Sequence, residues 1–321
     1  MDGEKKTVSK LSLYLAGVTF TLSIGFSFFG IKKCVPFTDT LNLLAYRYAA
    51  ALIGVIIFIG IGKALGKYQK GAPGRPKGKL YMTAAFYMLF MILQILAMYF
   101  ATSIEGAIVY AMVPIFAKII GRITLGERST RLQNFFVVLT VAALIVLIIL
   151  NATDIKLNVT GLIIMTISSI FMGCQNVSAR YVRGVFAPIE ITTCIAVGGF
   201  VIFYGAALIR AIAKGDLYSL FEPLTHPQFV IWVSFLGIFC ILLSAQFMAF
   251  MLAHMQLVQC TVFSSASTLV SIIAGALILG EPLLWYHFLC GALILTGVVG
   301  LALAPADEAN SGKSLQDDME R

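Results

Sequence analysis

Ten runs of about twenty apolar residues follow one another along this chain, and nothing constrains its fold more. They cover residues 11–31, 41–61, 80–100, 104–123, 132–150, 159–181, 189–209, 229–253, 257–279 and 283–303. A helix rises about 1.5 Å per residue, so about twenty residues cross a hydrocarbon core of about 30 Å. Inside that core each backbone N–H and C=O must be satisfied within its own segment, which the helix does. Only 12% of the residues are charged, about half the share usual in soluble domains. The loops between the runs are short and leave no room for a soluble catalytic domain. The first run is too long for a signal-peptide core and lacks a small-residue cleavage site after it, so it reads as a span. The expected fold is all-α and integral to the membrane, with ten transmembrane helices.

A net charge of +8 does not point to nucleic acid, because the charges are sorted by loop. With ten spans and the N-terminus in the cytoplasm, sixteen lysines and arginines fall on the cytoplasmic side, six of them between Lys63 and Lys79. Five (Lys32, Lys33, Lys156, Arg210, Lys214) fall on the other side, and Arg47 and Lys118 lie within spans. This is the positive-inside bias, and it predicts a multi-pass protein with both termini cytoplasmic. The expected location is a bacterial plasma membrane. Five of the six cysteines lie inside apolar runs, so no disulfide framework is expected.

The tripeptide Leu125-Gly126-Glu127 returns as Leu279-Gly280-Glu281, each copy between two apolar runs. The offset, 281 − 127 = 154, also superimposes Gly121 on Gly275. Such self-similarity marks a duplicated unit. Five spans per unit is an odd number, so the second copy enters the membrane inverted. Inverted repeats are a mark of secondary transporters, whose halves exchange conformation around a central site. The units are taken as residues 1–157 and 158–304, followed by a polar cytoplasmic tail, 305–321.

Several segments resemble the EamA-type repeat of the drug/metabolite transporter superfamily. They are Ala111-Met-Val-Pro114-Ile-Phe, Leu125-Gly126-Glu127-Arg128-Ser-Thr130 with Gln133, Gly25 through Tyr46-Arg47-Tyr48, Gly173 to Arg180, and Gly280-Glu281-Pro282. The resemblance spans nearly the whole chain. It implies a carrier of small metabolites, with the first span of each half bordering the cavity. The chain departs from it at Ile24-Gly25, where Trp-Gly is frequent, and at Thr268, which stands where the first half has Pro114.

Five residues stand out as candidate substrate ligands. Arg47 lies inside the second run, where a basic side chain needs a polar cavity, a partner such as Glu105, or a snorkelling route to the surface. Tyr110, Pro114 and Lys118 share one helix face at i, i+4, i+8. Proline there has no N–H for the Tyr110 carbonyl, so that face combines a phenol, a free carbonyl and an ammonium. Lys118 is replaced by Ile272 in the other half, so the fold does not require it. Gln175 and Asn176 follow Gly173 in the first span of the second half. Glu127 and Glu281 read instead as helix-start carboxylates near the positive end of the next helix, with Thr130 and Gln133 forming a capping box. Glu105 and Glu190 are read the same way. Trp232 and Trp285 read as interface anchors, and Gly62-x-x-x-Gly66 is a candidate homodimer contact.

No nucleotide-binding loop, metal-ligand cluster or hydrolase motif is found. Neither cofactor nor metal is expected, and the chain is not expected to be an enzyme. The expected partners are the lipid bilayer and a small-molecule substrate, with coupling to a proton or a counter-substrate left open. Both intramembrane charges are positive, which points to a substrate with an anionic group such as an amino or organic acid. The function read from the sequence is secondary active export by alternating access. The alternative is a passive channel or pore for small solutes.

Overall fold

The computed structural model describes residues 10–66, 75–125, 129–153, 159–255 and 257–305. Ten helices long and apolar enough to cross a membrane occur among the described residues, and no strand does. We number them spans 1 to 10: Lys10–Phe37, Thr40–Ala64, Gly78–Ala97, Ser103–Thr124, Arg131–Leu150, Val159–Arg183, Pro188–Lys214, Pro227–His254, Gln259–Ile278 and Trp285–Leu303. Span 1 runs past the expected limit. Cys34, expected in a loop, closes its helix and is fully buried.

Local sequence sets where the spans begin. Asp39 accepts from the Asn42 N–H at 3.0 Å and caps span 2. Thr102 and Glu105 form a capping box on span 4. Thr130 and Gln133 bond each other's backbone N–H at 3.3 Å at the start of span 5, as the sequence implied. Pro188 and Pro227 open spans 7 and 8 at the position where a missing N–H is harmless.

The helix pairings map onto themselves when each span is exchanged for the one five places on. Spans 1 and 9 pack together, as do 6 and 4; spans 3 and 6 pack, as do 8 and 1; spans 2 and 8 pack, as do 7 and 3. Three pairs join a span to its own counterpart: 2 with 7, 4 with 9, and 5 with 10. Partners five apart run in opposite directions through the bundle. This is the arrangement of two inverted five-helix repeats.

Contacts between loops sort the span ends onto two faces. On one face the Tyr99 hydroxyl donates to the Thr38 carbonyl at 2.9 Å, Arg210 binds Asp39 and Asn42, and Glu281 binds Ser103. On the other, Arg75 binds Glu190 at 2.7 Å and lies over the Phe186 ring, and Gln133 donates to the Pro305 carbonyl at 3.3 Å. We call these the Glu281 face and the Arg75 face.

The Asp39–Arg210 contact joins spans 1, 2 and 7. Burial pushes the Asp39 carboxyl up, but hydrogen bonds from Arg210 and the Asn42 N–H outweigh it and hold its pKa below the ordinary carboxylate value. A depressed pKa adds stability above the unfolded-state value of about 4, and that stability is lost as pH falls through the folded value. Both side chains are partly exposed, so the contact is worth about 1 kcal/mol or less. Asp39→Asn should therefore flatten the fall of Tm below about pH 4, read by thermal melts across pH in detergent.

The repeated tripeptide has a structural role in its second copy. Gly280 takes φ +68°, a conformation that favours glycine, and the Glu281 N–H turns back to the Gly275 carbonyl at 3.1 Å. The chain reverses and delivers the Glu281 carboxylate to the first turn of span 4. It accepts from Ser103 N at 2.9 Å, Ser103 Oγ at 2.6 Å and Ile104 N at 3.2 Å. This corrects the sequence reading. The carboxylate does sit at a helix start, but at one in the other repeat rather than that of span 10. Glu127, the tail from 306 and the first nine residues lie outside the described residues.

Candidate functional site

Span 2 carries the central feature. Arg47 is 1% exposed, the largest fully buried side chain among the described residues. Its Nε and Nη1 make no hydrogen bond. Arg47 lies seven residues (47 − 40) into span 2 from the Glu281 face, roughly 10 Å deep. Snorkelling is excluded by this burial. The partner expected from the sequence is excluded as well, because Glu105 is engaged elsewhere. Its Oε2 takes the Thr102 N–H at 2.7 Å and hydroxyl at 3.0 Å, and its Oε1 lies 3.8 Å from His287 Nε2.

Aromatic and sulfur groups lie within electrostatic range of the guanidinium. Its field is felt by Tyr48, Tyr87, Tyr110, Cys34 and Cys240. Tyr110 is also seven residues (110 − 103) into its span from the same face, so the two sit level. The Tyr110 ring packs against Phe28 at 5.8 Å and Phe90 at 5.9 Å, and Phe90 meets Tyr87 at 5.7 Å. Phe28, Tyr87, Phe90 and Tyr110 thus form one aromatic wall.

Spans 7 and 8 shape the opposite side by a device the sequence did not reveal. Each contains a π-helical stretch, Phe200–Tyr204 and Ile238–Leu243, and both pack on span 2. Such wide turns often mark functional sites, because they re-aim side chains within a continuous helix. Gly237, just before the second stretch, allows close approach. A Cβ there would lie 2.6 Å from the Arg47 carbonyl oxygen. The Tyr48 ring stacks on Phe203 at 5.3 Å, and its buried hydroxyl makes no hydrogen bond. Tyr46 points the other way and donates to the Leu220 carbonyl.

The other candidates occupy the half of the bundle toward the Arg75 face. Span 4 is interrupted between Tyr110 and Val113, ahead of Pro114, and Lys118 follows in the second segment, half-buried. Gly173 of span 6 packs onto Phe116 and Ala117, which brings Gln175 and Asn176 near the level of Lys118. Gln175 is buried and Asn176 half-buried, and neither hydrogen-bonds to Arg47. The five candidates therefore divide into an Arg47–Tyr110 pair and a Lys118–Gln175–Asn176 group. Trp285 is exposed, as an interface anchor should be. Trp232 instead packs inward, with its ring 4.8 Å from that of Phe29.

No group of three or more His, Cys, Asp or Glu side chains able to hold a metal occurs among the described residues. The chemistry available at Arg47 is binding. A bare guanidinium offers fixed donors that match the geometry of a carboxylate or phosphate.

Comparison with known proteins agrees with this architecture. The chain is 29% identical over 290 residues to a Bacillus subtilis protein described as the uncharacterized transporter YcxC, covering 89% of this chain and 91% of that one. An Archaeoglobus fulgidus protein, also described as an uncharacterized transporter, is 24% identical over 85% of this chain and 92% of its own length. A solved structure titled only "Crystal structure of protein" superimposes with a TM-score of 0.59 at 16% identity, over 91% of this chain and 96% of that one. That likeness concerns the fold alone. The EamA-like transporter family matches twice, over residues 11–149 and 159–303, and with both repeats matched the chain belongs to this family of membrane transporters.

Proposed function

We propose that this transporter is a secondary carrier that binds the anionic group of a small metabolite, such as an amino or organic acid, at Arg47. The observation that carries this reading is a fully buried guanidinium with no carboxylate partner and two unbonded nitrogens. A buried charge left unpaired costs several kcal/mol. A bound anion would offset that cost. A substrate carboxylate on Arg47, with the Tyr110 hydroxyl alongside, would supply the missing charge and acceptors.

The inverted repeat supports alternating access. Loop contacts at each face tie one half to the other, and exchanging the two sets would open the site to either side. Lys118, Gln175 and Asn176 are placed to meet the substrate on its way toward the Arg75 face. The excess of basic residues in the loops supports a cytoplasmic location for that face. We propose export as the direction. The pore alternative is disfavoured by the packed aromatic wall beside Arg47.

Counterflow in proteoliposomes tests this reading. Purified protein is reconstituted and a panel of labelled amino and organic acids is offered against internal unlabelled acid. Saturable uptake accelerated by internal substrate is expected. Flux that rises linearly with concentration and ignores internal acid would mean a pore.

A further inference from the structure

A second buried charged cluster lies at the Glu281 face, apart from Arg47, and it joins spans 1, 4 and 10. Glu105 is 2% and His287 0% exposed. Glu105 Oε2 is satisfied by Thr102. Oε1 is buried without a hydrogen bond and faces His287 Nε2 at 3.8 Å. On the far side of the imidazole, the Leu284 N–H points at Nδ1 at 3.3 Å. A backbone N–H can only donate, so Nδ1 accepts and the ring proton of a neutral His287 resides on Nε2, toward Glu105.

Two further charges lie near this pair. Glu281 lies on the first turn of span 4 through Ser103 and Ile104. Lys32 of span 1 interacts electrostatically with both Glu281 and Glu105. Tyr286 packs its ring on His287 at 4.6 Å. Lys32 and Glu281 are half-buried, whereas the Glu105 Oε1 is buried with no hydrogen bond. A carboxylate oxygen in that setting is satisfied by a single added proton.

We propose that Glu105 and His287 form a proton-binding site that couples transport to the proton gradient. This rests on the carrier reading above but not on the identity of the substrate. The proton comes from water on the Glu281 face and binds Glu105 Oε1, turning carboxylate into carboxylic acid. No other bond is made or broken, and the same proton leaves when the site next faces solution. Two N–H or O–H groups cannot point at each other, so protonated Oε1 must turn away from Nε2–H or the imidazole must rotate. Rotation would withdraw Nδ1 from the Leu284 N–H at the start of span 10. Proton binding is thereby linked to the helix ends that close this face.

Infrared difference spectroscopy on the purified full-length protein in lipid, with bulk pH stepped, reads proton binding without any substrate. The wild type should show a carboxylic-acid stretching band that appears on acidification, shifts in deuterated water and comes from a non-aqueous environment. Glu105→Gln, which keeps an acceptor for Thr102, should lose that band. His287→Gln should shift its midpoint, and Lys118→Ala should leave it unchanged. A wild type without the band, or a band that survives Glu105→Gln, overturns the proposal. In the counterflow assay, Glu105→Gln should retain exchange of labelled for unlabelled acid yet lose accumulation driven by an imposed pH gradient. Equal gradient-driven accumulation by Glu105→Gln and wild type would also overturn it. Loss of exchange in the wild type itself would contradict the carrier reading instead.

Discussion

Arg47→Met is expected to abolish transport while making the folded protein more stable. The two effects have opposite sign because the guanidinium is buried without a counter-charge. Methionine fills similar space, removes the desolvation penalty and leaves no carboxylate stranded, since none pairs with Arg47. Replacing buried charge by apolar groups of like volume is often neutral or stabilising by about 1–4 kcal/mol. Losing a buried charged contact to a ligand costs about 2–5 kcal/mol, or about thirtyfold to several thousandfold in affinity. Thermal melts in detergent and uptake by the same preparation check both halves. A structural role for Arg47 would lower stability and transport together.

Glu281→Ala is expected to be the most damaging single change outside the site. The carboxylate accepts from two backbone N–H groups and one hydroxyl at the start of span 4 and neutralises part of Lys32. Losing a helix cap costs about 0.5–2 kcal/mol, and hydrogen bonds to charged groups are worth about 1.5–3 kcal/mol. Allowing for partial exposure, a loss of about 2–4 kcal/mol is expected. Glu281→Gln, which keeps one acceptor, should lose about half as much. Melting temperature and yield of folded protein report it. An unchanged melt in Glu281→Ala would remove the carboxylate from its bridging role.

The span count, the repeat and the helix starts at Glu105 and Thr130 were legible because they depend on local chemistry: apolar length and capping residues. Long-range partners were not. Nothing near Glu281 in sequence names Ser103, 178 positions away, so its carboxylate was assigned to the wrong helix. Arg47 was singled out correctly as an anomaly. Its isolation was not readable, since Glu105 was the next acid along the chain after Asp39 and its bond to Thr102 is a local alternative that wins. His287 drew no attention because a lone histidine in an apolar helix carries no pattern of its own. The π-helical stretches of spans 7 and 8 contain no proline, and apolar composition alone does not announce them. Lys118, Gln175 and Asn176 were grouped with Arg47 by chemical type, yet depth in the bundle separates them.

The central claim is that Arg47 recognises negative charge on the substrate. It is tested most directly by comparing a transported acid with its neutral amide in the same liposomes. Wild-type protein should prefer the acid by about thirtyfold or more, and Arg47→Met should bring the two to equal, low rates. Equal transport of acid and amide by the wild type, or a preference that survives Arg47→Met, would contradict the account.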